Sequence, residues 1–286
     1  MIDSLDSINL NFKGSFANVF KKPELIQPFL TKRSNKFDEI IKKEFLRRKL
    51  ETDFAIVALG GYGRKELFPS SDIDLSIIQF NAKTKKIEDI KDFIGWLWTL
   101  KVKVGHSVRT IKDIENITKS DLKEFTSYLS YRIIFCKKDK IVCLNDDLKK
   151  VSKKWSKTKF FKAKQIEQNQ RFQSFDSTEF SLEPDLKESP GCLRDFQTAF
   201  WILEHCFEIK KLQDCVTAKM FSKKEIASIN ESYAHIKTLR FFINLESSAN
   251  RISFENQLLL AKKTKLKASK KSSAVEKFMR TFFLHA

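Results

Sequence analysis

Long apolar runs are missing from this chain. No stretch of its 286 residues approaches the roughly 20 apolar residues that cross a bilayer, and the densest, residues 93–100, is far too short. The N-terminus opens on acidic and polar residues, with no basic segment leading into an apolar one, so no secretion signal is read there. Cysteine is scarce: Cys136, Cys143, Cys192, Cys206 and Cys215 are odd in number and form no Cys-x-x-Cys pair. That excludes a disulfide framework and a zinc-binding pattern, and fits buried free thiols in a reducing cytoplasm. Internal repeats are absent as well. The one low-complexity patch, the lysine-serine run at 262–273, reads as a solvated connector.

Negative charge is in deficit: 54 Lys and Arg stand against 36 Asp and Glu, a net +18. Such a balance invites a nucleic-acid reading. Yet 43 of the basic residues are lysines, scattered from end to end among the acids, where a phosphate-reading surface would cluster and favour arginine. Nucleic acid is therefore not the expected partner. A positive surface also suits the steering of a nucleotide or an acidic protein. What the chain does have is a 42% hydrophobic content with 27 Phe, enough for a real core, and a length that accommodates two domains.

The most informative stretch is ALGGYGRKELFPSSDIDL, residues 58–75. Residues 54–59 form an apolar, partly β-branched run that reads as a buried strand. A Gly-Gly-x-Gly turn follows, residues 64–68 have the composition of one or two helical turns, Pro69-Ser70-Ser71 breaks them, and residues 73–80 read as a second strand. Alternation puts Asp72, Asp74 and Ser76 on one strand face and Ile73, Leu75 and Ile77 on the other, with the two carboxylates about 7 Å apart along the strand. Such oxygens suit Mg²⁺ shared with phosphate. The glycines let a phosphate approach backbone N–H groups, and a short helix behind them would aim its positive end the same way. A glycine turn followed by paired aspartates is what metal-dependent nucleotidyl transfer needs. The plain alternative is a tight turn before an edge strand with solvated acids.

Elsewhere the pattern is mostly helical. Residues 1–33 read as irregular, and Asn35 as the cap of a helix to about residue 50, with Phe37, Ile40, Ile41 and Phe45 on its apolar stripe. Residues 87–97 have helical spacing with Trp96 and Trp98 beside them. Val102 and Val104 open a third strand that ends at Gly105-His106. From about residue 112 onward helices are expected at 120–135, 159–175, 193–209 and 222–245. Ser222 with Glu225 and Ser273 with Glu276 have capping-box spacing. Residues 183–197, rich in charge and broken by Pro184 and Pro190-Gly191, read as a loop.

GGYGRKELFPSSDIDLSI resembles the nucleotidyltransferase signature of the bacterial PII protein uridylyltransferases, a branch of the DNA polymerase β-like superfamily. VGHSVRT (104–110) and LEPDLKESPGCLRDFQT (182–198) match that family in the same order, with weaker echoes in QIEQNQRF (165–172) and AVEKFM (274–279). The resemblance covers roughly residues 50–286. It implies an α+β fold: an N-terminal helical extension (1–50), a small mixed-sheet nucleotidyltransferase core (51–115) and a helical domain (116–286) whose loop near 183–197 lines the nucleotide pocket. It further implies a cytoplasmic enzyme that transfers UMP from UTP to a tyrosine of a PII-type nitrogen-regulatory protein. Asp72 and Asp74 would hold Mg²⁺, with Mn²⁺ as the substitute. Gly60, Gly61, Gly63, Arg64, Ser71, His106, Lys187, Arg194 and Asp195 would bind nucleotide; a structural role for His106 is as well supported by its place at a strand end.

Two departures from the family pattern stand out. Many superfamily members carry a third acid where this chain has Lys103, which leaves Asp185 or Asp195 as candidates for that role. Cys192 stands where a second glycine is usual after Gly191, and would be strained if that position needs positive φ. Full-length family members continue into a His-Asp phosphohydrolase domain and two ACT domains. This sequence holds no His-Asp dipeptide, so neither uridylyl removal nor a glutamine response is expected of it. The alternatives are a non-catalytic nucleotide- or PII-binding regulator, an adenylyltransferase acting on glutamine synthetase, and an RNA-end-modifying enzyme.

Overall fold

The computed structural model describes residues 2–81, 83–175, 181–269 and 272–286. The element order is α1 (Ile2–Lys21), α2 (Ile26–Arg47), β1 (Phe54–Ala58), α3 (Gly60–Gly63), β2 (Ile73–Gln79), α4 (Ile87–Leu97), β3 (Val104–Arg109), α5 (Ile111–Thr118), α6 (Leu122–Leu129), β4 (Arg132–Phe135) and α7 (Ile141–Val151), then α8 (Lys157–Gln173), α9 (Leu193–Phe207), α10 (Asp214–Thr217), α11 (Lys223–Ser247), α12 (Phe254–Lys263) and α13 (Ala274–His285). The fold is α+β, as the sequence implies, with helices dominating the C-terminal half. Among the described residues no helix is long and apolar enough to cross a membrane.

The chain divides into two compact units: a sheet unit of residues 30–67 and 71–160, and a helical unit of residues 1–29, 68–70 and 161–286. In the sheet unit four strands lie in the order β3-β2-β1-β4, with β2 antiparallel to β1, β1 antiparallel to β4, and β2 parallel to β3. Every residue of β1 is buried, as expected of a central strand with helices on both faces. Ala55, Val57 and Ile78 point to one face and pack with Ile114, Tyr128, Leu144, Leu148 and Val151 of α5–α7. On the other face Phe45 of α2 packs against Phe93 of α4 and Phe135 of β4, at 5.6 and 6.0 Å between ring centroids.

In the helical unit Phe12 and Phe16 of α1 lie against Phe241 and Phe242 of α11, at 4.3 and 4.1 Å. The capping boxes expected at Ser222 and Ser273 are both formed, each serine oxygen accepting from the amide three residues on while that glutamate accepts from the serine amide.

Four expectations need correction. Residues 1–33 are not irregular: Phe12, Phe16, Val19 and Phe20 fall on one helical face and are buried, and that burial outweighs the glycine and asparagines that hide the pattern. Asn35 caps nothing. It lies exposed inside α2, whose Pro28 sits in the first turn, where a missing N–H breaks no helical bond. The helix expected over 120–135 ends at Leu129, and Arg132–Phe135 is the fourth strand; its β-branched and aromatic residues satisfy helical spacing but pair with β1. The third strand starts at Val104 and runs on to Arg109 rather than ending at His106. The connectors expected at 81–85 and 262–273 contain Ala82 and Lys270-Lys271, which lie outside the described residues.

Candidate active site

β1 delivers the chain directly into the glycine turn. The helical residues there are the glycines themselves, Gly60–Gly63, and not the 64–68 segment. Gly60 has φ +53, a value that favours glycine. The Gly63 amide donates to the Leu59 carbonyl at 2.8 Å, and Lys65 at φ 58 closes the turn. An ideal Cβ at Gly63 would stand 1.9 Å from the Ser130 carbonyl oxygen, so this glycine is where the start of β4 comes against the turn. Arg132 of β4 fastens the contact: it donates to the carbonyls of Gly63 and Tyr62, both at 3.2 Å, and forms a forked ion pair with Asp38 of α2 at 2.6 and 3.1 Å. Tyr62 donates to the same carboxylate at 2.6 Å, and burial first, then Asp38, raises its hydroxyl well above its ordinary pKa. Asp38, Tyr62 and Arg132 thus hold the turn. Sequence reading missed them because their contacts span 24 to 94 residues.

β2 returns the acids to that turn. The Leu59 amide donates to the Asp74 carbonyl at 3.0 Å. Asp72 and Asp74 are exposed while Ile73 between them is buried, so the expected alternation is present at this end of the strand. Further along it changes. Ser76 is fully buried and hydrogen-bonded at 2.8 Å to Tyr128, whose own pKa burial raises. The Asp74 carboxylate lies between two glycines: an ideal Cβ at Gly60 would stand 3.5 Å from Oδ2, and one at Gly105 only 2.8 Å from Oδ1. Gly105 was not singled out from sequence, although a glycine inside a strand commonly marks a close approach.

The register of β3 against β2 places Gly105 beside Asp74 and His106 beside Leu75. His106 therefore leaves the sheet on the face opposite Asp74, and its ring meets that of Trp98 edge-on at 5.7 Å. On the acid-bearing side β3 offers Gly105, Ser107 and Arg109, and Arg109 is committed to a forked ion pair with Glu124 at 2.7 and 3.1 Å, which raises its pKa. Among the described residues no group of three or more His, Cys, Asp or Glu could hold a metal ion. Two exposed carboxylates are nevertheless a fitting donor set for Mg²⁺, which keeps several waters and is commonly held by one or two carboxylates together with substrate phosphates. Arg64 pairs with buried Glu66 at 2.9 Å and reaches Ser130 at 3.3 Å. Ser71 is half-buried beside Asp72.

Lys187, Arg194 and Asp195 belong to the helical unit, where the 183–197 segment is braced throughout. Asp185 accepts from the amides of Lys187 and Glu188, both at 2.8 Å. Arg194 grips Glu188 at 2.9 Å; burial works to raise that carboxyl, but Arg194 prevails and lowers it. Asp195 accepts from the Gly191 amide at 2.7 Å, from Gln168 at 2.9 Å and from Arg171. Gln168 and Arg171 come from the 165–172 echo, which is what makes that segment part of this brace. Lys187 lies 3.5 Å from Glu188. Cys192 has extended backbone at φ −91 and Gly191 takes the positive φ of +75, so the strain expected at Cys192 is absent. Burial raises the Cys192 thiol pKa and leaves it inert.

A glycine turn set against paired exposed acids on a small mixed sheet defines a nucleotidyltransferase core, and comparison with known proteins agrees. Residues 39–155 match the nucleotidyltransferase domain family, and residues 159–286 match the GlnD PII-uridylyltransferase family. These matches support a nucleotidyltransferase similar to the PII uridylyltransferases. The chain is 34% identical over 256 residues to the bifunctional uridylyltransferase/uridylyl-removing enzyme of Haemophilus influenzae (strain PittEE), covering 88% of this chain and 29% of that protein. It is 32% identical over 265 residues to that of Pasteurella multocida (strain Pm70), covering 90% and 30%, and 32% identical over 286 residues to that of Pseudoalteromonas translucida (strain TAC 125), covering 98% and 32%. The chain thus spans about a third of the length of these relatives.

Proposed function

We propose that this chain transfers UMP from UTP to a tyrosine hydroxyl of a PII-type protein in the cytoplasm. The observation that carries the reading is the Asp74 carboxylate lying between Gly60 and Gly105 with exposed Asp72 two residues before it. In the proposed reaction the tyrosine oxygen attacks the α-phosphorus of UTP, the bond from that phosphorus to the β-phosphate bridging oxygen breaks, pyrophosphate leaves, and the hydroxyl proton passes to solvent. Gly60 and Gly61 let the triphosphate approach the backbone of the turn. Gly63 acts one step back, by admitting the Ser130 carbonyl that seats the turn. Asp72 and Asp74 would hold Mg²⁺, or Mn²⁺ in its place, which when bound neutralises charge on the phosphates and lowers the pKa of the attacking hydroxyl. Ser71, Arg64, His106, Lys187, Arg194 and Asp195 retain proposed nucleotide-binding roles by resemblance, and Arg194 and Asp195 would exercise them from within the brace described above.

Incubation with a PII-type protein, Mg²⁺ and each labelled nucleoside triphosphate tests the reading. Label is expected on the protein from UTP and not from ATP; transfer from ATP to glutamine synthetase would favour the adenylyltransferase alternative. One observation favours a second reading. The β3 residue beside Asp74 is Gly105, and among the described residues no third acid joins the pair, which suits a nucleotide-binding regulator that retains UTP and transfers nothing.

A further inference from the structure

β3 is an edge strand, and its open side carries a specific set of backbone groups. The Ile73 amide donates to the Lys103 carbonyl at 2.8 Å, and Ile73 stands opposite Val104. In a parallel ladder of that register Gly105, Ser107 and Arg109 bond toward β2, whereas the N–H and C=O groups of Val104, His106 and Val108 point outward. Among the described residues no strand pairs with β3 on that side. Natural proteins blunt such edges with proline, inward-pointing charge or a covering element. This one has no proline in 104–109, and it flanks the edge with Trp98, 63% exposed, and Val108, 36% exposed. Exposed tryptophan is enriched at protein–protein contacts.

We infer that the β3 edge is the docking track for the acceptor protein, which adds an extended segment to the sheet and carries its tyrosine over Gly105 to Asp74. The inference rests on the proposed transfer reading. Its geometry is simple. An added strand lies two strand spacings, about 10 Å, from β2, so only a long side chain on the acid-bearing face reaches the Asp74 carboxylate. Any residue other than glycine at 105 would stand in its path, and the Asp74 carboxylate already leans over that position. Residues before and after the tyrosine alternate to the other face, where Trp98 and His106 wait as an aromatic contact. Backbone pairing supplies affinity and the gap at Gly105 supplies selectivity for tyrosine over serine, the two-part logic of strand addition.

The test replaces one outward donor. Val108→Pro removes an N–H that faces away from the sheet, a place where an edge strand tolerates proline. Transfer to a PII-type protein is expected to fall about tenfold, the loss of roughly one hydrogen bond, while Mg²⁺-dependent binding of labelled UTP by equilibrium dialysis stays as in the parent chain. In the parent chain, adding the PII-type protein should slow hydrogen exchange at the His106 and Val108 amides and leave Gly105 and Ser107 unchanged. A tyrosine-to-serine acceptor should still protect those amides but take no label. Undiminished transfer by the proline variant, or no protection of His106 and Val108, overturns the docking track and leaves the transfer reading standing. Protection of those amides with no transfer from the parent chain keeps the track and sinks the transfer reading.

Discussion

The glycine-turn corner of the sheet unit and the 183–197 segment of the helical unit are both rich in charge, yet they spend it in opposite ways. In the helical unit Asp195 accepts from a backbone amide, a glutamine and an arginine, and Arg194 and Glu188 grip one another. In the sheet unit Asp72 and Asp74 are exposed beside the turn, which Asp38, Tyr62, Arg132 and the Arg64–Glu66 pair brace. Charge that is cross-tied shapes a segment; exposed charge beside a turn that needs glycine is positioned for a ligand. Mutations should separate these two uses.

The largest effect is expected where the turn is seated. Gly63→Ala puts a methyl group 1.9 Å from a backbone carbonyl, and urea unfolding should show a loss of about 3 kcal/mol. Next comes the helical brace. Asp195→Ala removes the acceptor of the Gly191 amide, the Gln168 amide and one nitrogen of Arg171, and should cost about 2 kcal/mol in the same assay because these part-buried donors lose a charged partner. If Asp195→Ala instead leaves stability untouched and abolishes nucleotide binding, the contrast drawn between the two regions is wrong.

Acid should weaken the helical unit through His235. Its ring stacks on His285 at 4.4 Å with Phe20 on its flank, and Ser232 bonds to His285. Burial, then the neighbouring His285, lowers the His235 pKa to about 3. The unfolded chain takes that proton near pH 6.5 and the native state resists it until about pH 3. Stability from this group is therefore full above pH 6.5 and falls across that window by up to about 1.4 kcal/mol per pH unit. His235→Leu should flatten the slope in unfolding curves collected from pH 7 to 4. A small change in stability is expected at Gly105→Ala: the added methyl meets only the end of the Asp74 side chain. Unfolding should shift by under about 1 kcal/mol, while transfer falls about tenfold or more because the carboxylate is displaced.

Local chemistry made much of this fold legible before any coordinates. The apolar run at β1, the alternation at Asp72-Ile73-Asp74 and the capping boxes at Ser222 and Ser273 depend on neighbours within a few residues, and all are present. What stayed hidden depends on distance. β4 satisfies helical spacing until β1 offers it a ladder. Gly63 reads as a phosphate cradle until the Ser130 carbonyl arrives from 67 residues away. His106 sits in a matching motif, but only the register of β3 on β2 reveals that its ring leaves on the face opposite Asp74. The roles of Arg194 and Asp195 in a brace could not be read without Glu188, Gln168 and Arg171 in place.

The most direct test of the exposed-acid corner joins one variant to two readouts. Asp72→Asn/Asp74→Asn should lower label transfer from UTP to a PII-type protein by about a thousandfold or more, with the protein still folded, because both substitutions are isosteric and both side chains are exposed. Transfer that survives the double substitution, or a protein that unfolds without those carboxylates, would contradict the account.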